Sequence, residues 1–437
     1  MKKSPPAIAR LPEDPQRRLR VLVFTTVFPN REQPLHGTFV VERVRHAAKL
    51  ADIHVIAPIP WHRVVRGLPP RREVAAGLPV SHPVLWYPPK ILGSLRGLFM
   101  FLSTFREIVR LRATFDFDLI DAHFAYPDGW AAVLLGRWFH RPVCITLRGT
   151  IEQWSRRPLG RFLCDWAMRR AARVIAVAES LAERARQGGI PPQRIAVIAN
   201  GIDTDRFHPL DASEARRRVG WRTDGRLLVS VGHVSPRKGF HRVIRALPRI
   251  LKSFPDAYVT IVGGRGAEED NSAELRALAQ RLGLADRVAF IGAKPPDDVA
   301  LWLAAADLFI LASDFEGCPN VVLEAMACGR PLVATKVGDI ERMVPSFAGV
   351  LFDDPEDEAA LADCVVAALG RKWDDTRIRN HVAARSWDDV AEAVAAQWQL
   401  AVNPKPAVIL ADQPLPVRPA SARPIVTGPP SLPENPS

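Results

Sequence analysis

Cysteine is scarce in this chain of 437 residues. There are five, Cys144, Cys164, Cys318, Cys328 and Cys364. They are odd in number and scattered, and none stands in a Cys-x-x-Cys pair, so neither a zinc site of the usual spacing nor a disulfide framework is indicated. Reduced thiols in a cytoplasmic setting are the simpler expectation. Long apolar runs are missing as well. No segment reaches the roughly 18 apolar residues of a membrane-spanning helix. The basic N-terminal stretch (Lys2, Lys3, Arg10, Arg17, Arg18, Arg20) leads into no signal-peptide core, and the apolar run Val21–Val27 reads as a first strand. A soluble or peripheral protein is expected. Nucleic acid is not an expected partner, because no recognition motif or interleaving of basic and aromatic residues is present.

What is present is enough for two ordinary domains with real cores: the hydrophobic fraction is 48%. Net charge is +12, unevenly spread. Residues 1–200 carry 31 Lys+Arg against 15 Asp+Glu, and the remainder 28 against 32. The first half is therefore the part that would meet an anion, whether a lipid surface, a phosphorylated acceptor or, against the missing motifs, nucleic acid, unless the excess is only an Arg-rich composition. Short apolar β-branched runs alternate with helical patterns, twice over. The first set is Arg20–Phe24, Ile53–Ala57, Leu119–His123, Val143–Leu147, Val174–Val177 and Ile195–Ala199. The second is Leu227–Gly232, Tyr258–Gly263, Val288–Ile291, Leu308–Leu311, Leu332–Ala334 and Gly349–Phe352. Runs apolar on both faces are buried parallel strands, so an α/β chain of two doubly wound domains is expected. Turn and charge signals between Asn200 and Trp221 mark the seam. Two helices are expected after Phe352, the last carrying Trp387, Val390, Val394 and Trp398 at helical spacing. Ten prolines between Asn403 and Ser437 predict a disordered tail. The segment Lys90–Arg112 is amphipathic, with Leu92, Leu95, Phe99 and Leu102 along one side and Arg96, Arg106, Arg110 and Arg112 as cations. A helix lying in a membrane interface has this pattern, and so does one packed on its own domain, the commoner outcome.

Chemistry concentrates where strands end, which is where open parallel sheets bind ligands. Val231-Gly-His-Val-Ser-Pro-Arg-Lys-Gly239 takes a strand into a loop whose Arg237 and Lys238 are placed to meet an anionic diphosphate. Val262-Gly-Gly-Arg-Gly266 and Phe290-Ile-Gly-Ala293 are further strand ends that a ligand's backbone contacts would suit. Most specific is Glu316-Gly-Cys-Pro-Asn-Val-Val-Leu-Glu324, a turn opening a helix with a carboxylate at each end. Carboxylates accept paired hydrogen bonds from neighbouring sugar hydroxyls; favouring a helix N-terminus through its dipole is the bland alternative. In the first half, Gly37 precedes the first helix, His123 ends a strand before a helix that Pro127 is expected to open, and Arg148 ends another strand.

With these motifs, the chain from about Arg20 to Leu400 resembles the retaining glycosyltransferases of family 4 (glycosyl transferases group 1), which have the two-domain GT-B fold. The resemblance rests on the Glu316-x7-Glu324 segment, Arg237-Lys238-Gly239 and Asn200-Gly-Ile-Asp203. It implies a basic disordered N-terminus (1–18), an acceptor-binding Rossmann-like domain (19–200), a linker (201–222), a nucleotide-sugar-binding Rossmann-like domain (223–385), a helix crossing back to the first domain (386–402) and a disordered tail (403–437). It further implies glycosyl transfer from a UDP- or GDP-sugar to a lipid-linked or saccharide acceptor, with retention and no metal or other cofactor. Glu316, His123 and Lys238 would be catalytic. Gly37, His233, Arg237, Lys238, Gly263, Gly292, Glu316, Gly317, Cys318, Pro319, Asn320, Val321 and Glu324 would hold the donor. His123 and Arg148 would face the acceptor. His233 stands where the family usually has an arginine, leaving one diphosphate cation to Arg237. A nucleotide-sugar 2-epimerase shares this architecture but would need further acid–base residues; an inactive binding homologue would be favoured only by His233. The implied location is cytoplasmic, with peripheral attachment to the inner membrane face as the option the basic half leaves open.

Overall fold

The computed structural model describes residues 17–404 except 31–32, 35, 65–70, 89–92 and 265–269. The stretches 1–16 and 405–437, Lys90, Leu92, Arg265 and Gly266, all named above, lie outside the described residues.

The first half is built on an eight-stranded sheet. Its strands are β1 (Arg20–Phe24), β2 (Asp52–Ile56), β3 (Arg72–Ala75), β4 (Leu78–Ser81), β5 (Leu119–His123), β6 (Val143–Leu147), β7 (Arg173–Ala176) and β8 (Ile195–Val197), in the order β8-β7-β6-β5-β1-β2-β4-β3. All neighbours are parallel except the β3–β4 hairpin at the edge. The second half carries a six-stranded parallel sheet: β9 (Arg226–Val231), β10 (Ala257–Val262), β11 (Val288–Gly292), β12 (Leu308–Leu311), β13 (Leu332–Thr335) and β14 (Gly349–Phe352), ordered β11-β10-β9-β12-β13-β14. Every residue of β5, β6, β12 and β13 is buried. Their unbroken apolar runs follow from helices covering both faces. In each sheet the order reverses at its first strand, β1 or β9, and the crevice at that reversal is where such sheets take ligands.

Helices fill the layers. α1 (Thr38–Ala47) lies on one face of the first sheet; α2 (Arg96–Arg112), α3 (Trp130–Phe139) and α4 (Pro158–Arg170) lie on the other. α5 (Glu179–Gln187) follows β7. In the second half, α6 (Ala212–Arg218) precedes the sheet, α7 (Phe240–Ser253) follows β9 and α8 (Asn320–Ala327) follows β12. α6 falls inside the stretch expected to be linker. It packs into the second half, where Ala215 is buried and the Arg216 guanidinium donates to Ala305 O and pairs with Asp307 at 2.6 Å.

α9 (Trp387–Val402) crosses back. Its Trp387, Val394 and Trp398 are buried with Val21, Val40 and Leu119 of the first half. Ser386 caps it by accepting from the Asp389 N–H, and Asp388 in its first turn pairs with Lys49 at 2.6 Å beyond the end of α1. Acid at a helix start and cations beyond a neighbouring helix end complement both dipoles.

Three expectations are corrected. After Phe352 there are three helices, not two: Glu358–Leu369, Asp375–Ala383 and α9. Pro127 does not open the helix after β5. Tyr126 is held extended (φ −143°, ψ 138°), residues Ala125–Gly129 form a separate wide turn, and regular helix begins at Trp130. The residue before a proline avoids the helical region, which delays the start. Third, α2 does pack on its own domain, but through Gly97, Met100, Thr104, Ile108 and Leu111. Of the stripe Leu92, Leu95, Phe99 and Leu102, the described Leu95 and Leu102 are exposed and Phe99 is half-buried.

Candidate functional site

In the second half, the loop after β9 forms a short turn, Pro236–Lys238, ended by Gly239 in the left-handed region (φ +67°). That turn aims Arg237 and Lys238 at the loop after β12. Lys238 Nζ donates to Glu316 Oε1 at 2.6 Å, and Arg237 donates to the same oxygen at 3.2 Å and to Phe315 O at 3.0 Å. Burial would raise the Glu316 pKa, but Lys238 and Arg237 outweigh it and hold the carboxyl below its usual range. Glu316 is therefore ionised at neutral pH with two cations on it.

Glu324 sits in the second turn of α8 in the opposite condition. Its half-buried side chain has no hydrogen bond or ion pair among the described residues, and burial pushes it up to about 7, with only Arg206 acting against that rise. Within one eight-residue spacing the fold sets one carboxylate charged and one near its midpoint. The folded state thus holds a proton between about pH 4.5 and about pH 7 that the unfolded chain has lost. Glu324 stabilises most below that window, and its contribution falls as pH rises through it. Glu324→Gln is expected to remain neutral and to gain about 1–3 kcal/mol on the parent between pH 5 and pH 8 in thermal melts. Parallel melting curves for the two proteins across that range would remove the assignment.

His233 is exposed beside this loop. Partial desolvation, then Lys238 and Arg237, lower its pKa, so it is neutral at pH 7 and adds no cation. Gly292, at φ +81°, has open space where a side chain would start. Gly263 does not: a Cβ there would stand 1.7 Å from Gly232 O. Packing of the β9 and β10 ends already requires that glycine.

In the first half, Gly37 (φ +77°) opens α1. His123, at the end of β5, is fully buried, and both ring nitrogens face its own half. Nδ1 lies 3.4 Å from the Arg148 guanidinium, and Nε2 lies 3.6 Å from Asp121 Oδ2. Burial, more than the neighbouring arginines, pushes His123 down to about 4, so it is neutral. Asp121 takes its ion pair from Arg43 of α1 at 3.2 Å, and Arg43 also donates to Thr146 of β6 at 2.8 Å. Arg148 is buried and has no carboxylate partner among the described residues. It lies over the Phe39 ring and donates to Asn200, and burial together with Arg43 pushes it down to about 9.

From Arg148 the contacts run into the second half. Asn200 donates to the Asn320 side chain at 2.6 Å, at the first residue of α8. Gly149 and Gly317 pass so closely that a Cβ on either would stand 3.1–3.3 Å from the other's N. Cys318 packs against the cores of both halves, buried Pro319 precedes α8, and Val321 packs inside the second half. The expected residues of the Glu316 segment are thus brought against the end of β6. His123 has no exposed surface and lies against Arg148.

Sequence reasoning passed over three features. Asp339 of the second half accepts from the N–H groups of Glu179 (2.5 Å) and Ser180 (3.0 Å), capping α5 of the first half. Phe315 lies between Arg156 of the first half and Arg237 of the second. Arg43 is a buried cation on α1. Of these only Asp339, in a Gly-Asp turn after β13, carried a local signal; the others depend on elements meeting across the fold.

Residues 36–206 match glycosyltransferase family 4, and residues 211–385 match glycosyl transferases group 1. A D-inositol 3-phosphate glycosyltransferase of Thermomonospora curvata is 30% identical over 396 residues, covering 84% of this chain and 89% of its own. This chain belongs to glycosyltransferase family 4. A Bacillus subtilis protein named as a teichuronic acid biosynthesis glycosyltransferase is 29% identical over 402 residues, with 89% and 96% covered. Among solved structures, sucrose-phosphate synthase of Thermosynechococcus elongatus superposes at a TM-score of 0.73 with 21% identity, covering 87% of this chain and 98% of that one. Anabaena HepE, solved with UDP and glucose, superposes at 0.67 with 21% identity, covering 88% and 100%. The two Rossmann-like halves of this glycosyltransferase are those of the GT-B fold. No helix among its described residues is long and apolar enough to cross a membrane.

Proposed function

We propose that this glycosyltransferase moves a sugar from a UDP- or GDP-sugar to a lipid-linked or saccharide acceptor, with retention at the anomeric carbon and without a metal. One observation carries the donor reading: Lys238 and Arg237 converge on an ionised Glu316 where the second sheet reverses. Two cations on one carboxylate leave positive charge for a diphosphate. On donor binding the phosphates take Lys238 and Arg237 as partners, and Glu316 turns to hydroxyls of the sugar. Glu324, without a hydrogen-bond partner for its side chain among the described residues, accepts from the ribose hydroxyls. The base rests on the backbone near Gly292, and Gly37 brings the start of α1 over the phosphates. The departing diphosphate is stabilised by Lys238, Arg237 and the helix ends around it, an electrostatic contribution fixed before reaction. Arg148, backed by His123, faces the acceptor. Anabaena HepE, of the same fold, was solved with UDP-glucose, which supports a nucleotide-sugar donor. The Bacillus subtilis relative's name supports polysaccharide synthesis as the setting.

The test is donor affinity with chelator present throughout. Lys238→Ala is expected to weaken nucleotide-sugar binding about 10- to 100-fold by calorimetry, the scale of a lost charge-assisted bond. Unchanged affinity would count against the diphosphate role. Loss of parent transfer on chelation alone would remove the metal-free reading.

A further inference from the structure

Twelve large hydrophobic side chains are exposed among the described residues, and seven of them lie on α2, α3, α4 or the turn entering α2. They are not scattered. Leu95 in the entering turn and Leu98, Leu102 and Val109 on α2 follow helical spacing along the face opposite the buried Met100, Ile108 and Leu111. The next helix continues the patch: Trp138 of α3, 63% exposed, stands edge-on to Phe105 of α2 at 5.2 Å. α4 joins it through Trp130 and Trp166, 5.3 Å apart, and presents Phe162 at 61% exposure. Apolar surface of this extent on one side marks an interaction site.

Charge decides what covers it. Arg106 falls inside the α2 stripe and Arg110 borders it; both are exposed and neither makes an ion pair among the described residues. Arg137 and Arg161 are exposed on α3 and α4. The acids on these helices are already engaged: Glu107 pairs with Arg72, and Asp165 with Arg184. Unpaired arginines set in and around an apolar stripe, with no free acid beside them, suit an anionic lipid surface, where apolar side chains enter the acyl boundary and arginines reach back to headgroups.

We propose that the face formed by α2, α3 and α4 docks on an anionic lipid bilayer. The start of α2 is fixed by Tyr126, whose hydroxyl accepts from the Gly97 N–H at 3.0 Å, three residues after His123. Docking this face brings the acceptor end of the cleft close to the headgroups. The inference extends the lipid-linked reading of the acceptor, and it is tested without acceptor or donor, so that loss of binding and loss of transfer are separate results.

The whole protein is sedimented with vesicles of phosphatidylcholine alone and of phosphatidylcholine with phosphatidylglycerol. Binding is expected only to the second, and weaker at high salt. Arg106→Glu with Arg110→Glu is expected to weaken it at least tenfold, since each basic residue at an anionic surface counts for about fivefold. Leu98→Asp with Leu102→Asp is expected to abolish it. All four positions are exposed, so an unchanged melting temperature certifies the fold of both variants. Absence of anionic preference, or parent binding by either double variant, would overturn the proposal. So would a parent dimer that Leu98→Asp with Leu102→Asp turns to monomer, which would make the face an interface between copies.

Discussion

Glu316→Gln is expected to slow glycosyl transfer by about two to three orders of magnitude while nucleotide binding stays measurable, the range for loss of one preorganised electrostatic contact. The substitution keeps size and removes charge. In the parent, burial works against the carboxylate, and Lys238 and Arg237 overcome it, so the ionised form exists because two cations surround it. Glutamine leaves those cations without their partner, which favours a diphosphate in its place. Binding of the nucleotide alone is therefore expected to hold or tighten while transfer collapses. Initial rates with a nucleotide sugar, beside calorimetric titration of the nucleotide, separate the two effects. Parent-like rates in this variant would take Glu316 out of the reaction, and equal losses in both measurements would make it a binding residue only.

Arg43→Met is expected to cost about 3–5 kcal/mol of stability, the usual result of stranding a buried charge. Asp121 lies in the middle of β5 with no exposure, its ion pair is with Arg43, and Arg43 reaches β6 through Thr146. A thioether fills much of the same space and answers neither contact. Adding Asp121→Leu is expected to recover a large part of the loss, because the stranded carboxylate is then gone. Denaturant unfolding of the three variants measures the coupling; an additive double variant would show that the pair is not a unit. The effect also reaches the site, since Asp121 faces His123, and His123 in turn faces Arg148.

The parallel strands were legible because each is a short apolar β-branched run. Their pattern survives in one dimension, and twelve of them fall within a residue or two of the expected places. The β3–β4 hairpin was not legible. Its strand Arg72–Ala75 is an edge strand with no fully buried residue, so no apolar run announces it. α2 was legible as an amphipathic helix but not as to which side is buried. Leu95 and Leu102 look more core-like than Gly97, yet close packing against Trp130 and Tyr126 selects glycine there. In the site, the Glu316 segment was visible because its residues are contiguous. The bridge from Arg148 through Asn200 to Asn320 was not, since it joins three separate stretches. Arg43 was invisible for the same reason, being matched to Asp121 78 positions away.

The return of α9 into the first half bears on how the chain is made. Trp387, Val394 and Trp398 cover Val21, Val40 and Leu119, residues synthesised more than 260 positions earlier. At about 5–20 residues per second, that face of the first sheet waits roughly 13–50 s for its cover during synthesis. Over that interval the second half can complete its own sheet, so the domain begun first is finished last. A ribosome that stalls before Trp387 leaves the later domain able to close and the earlier one open.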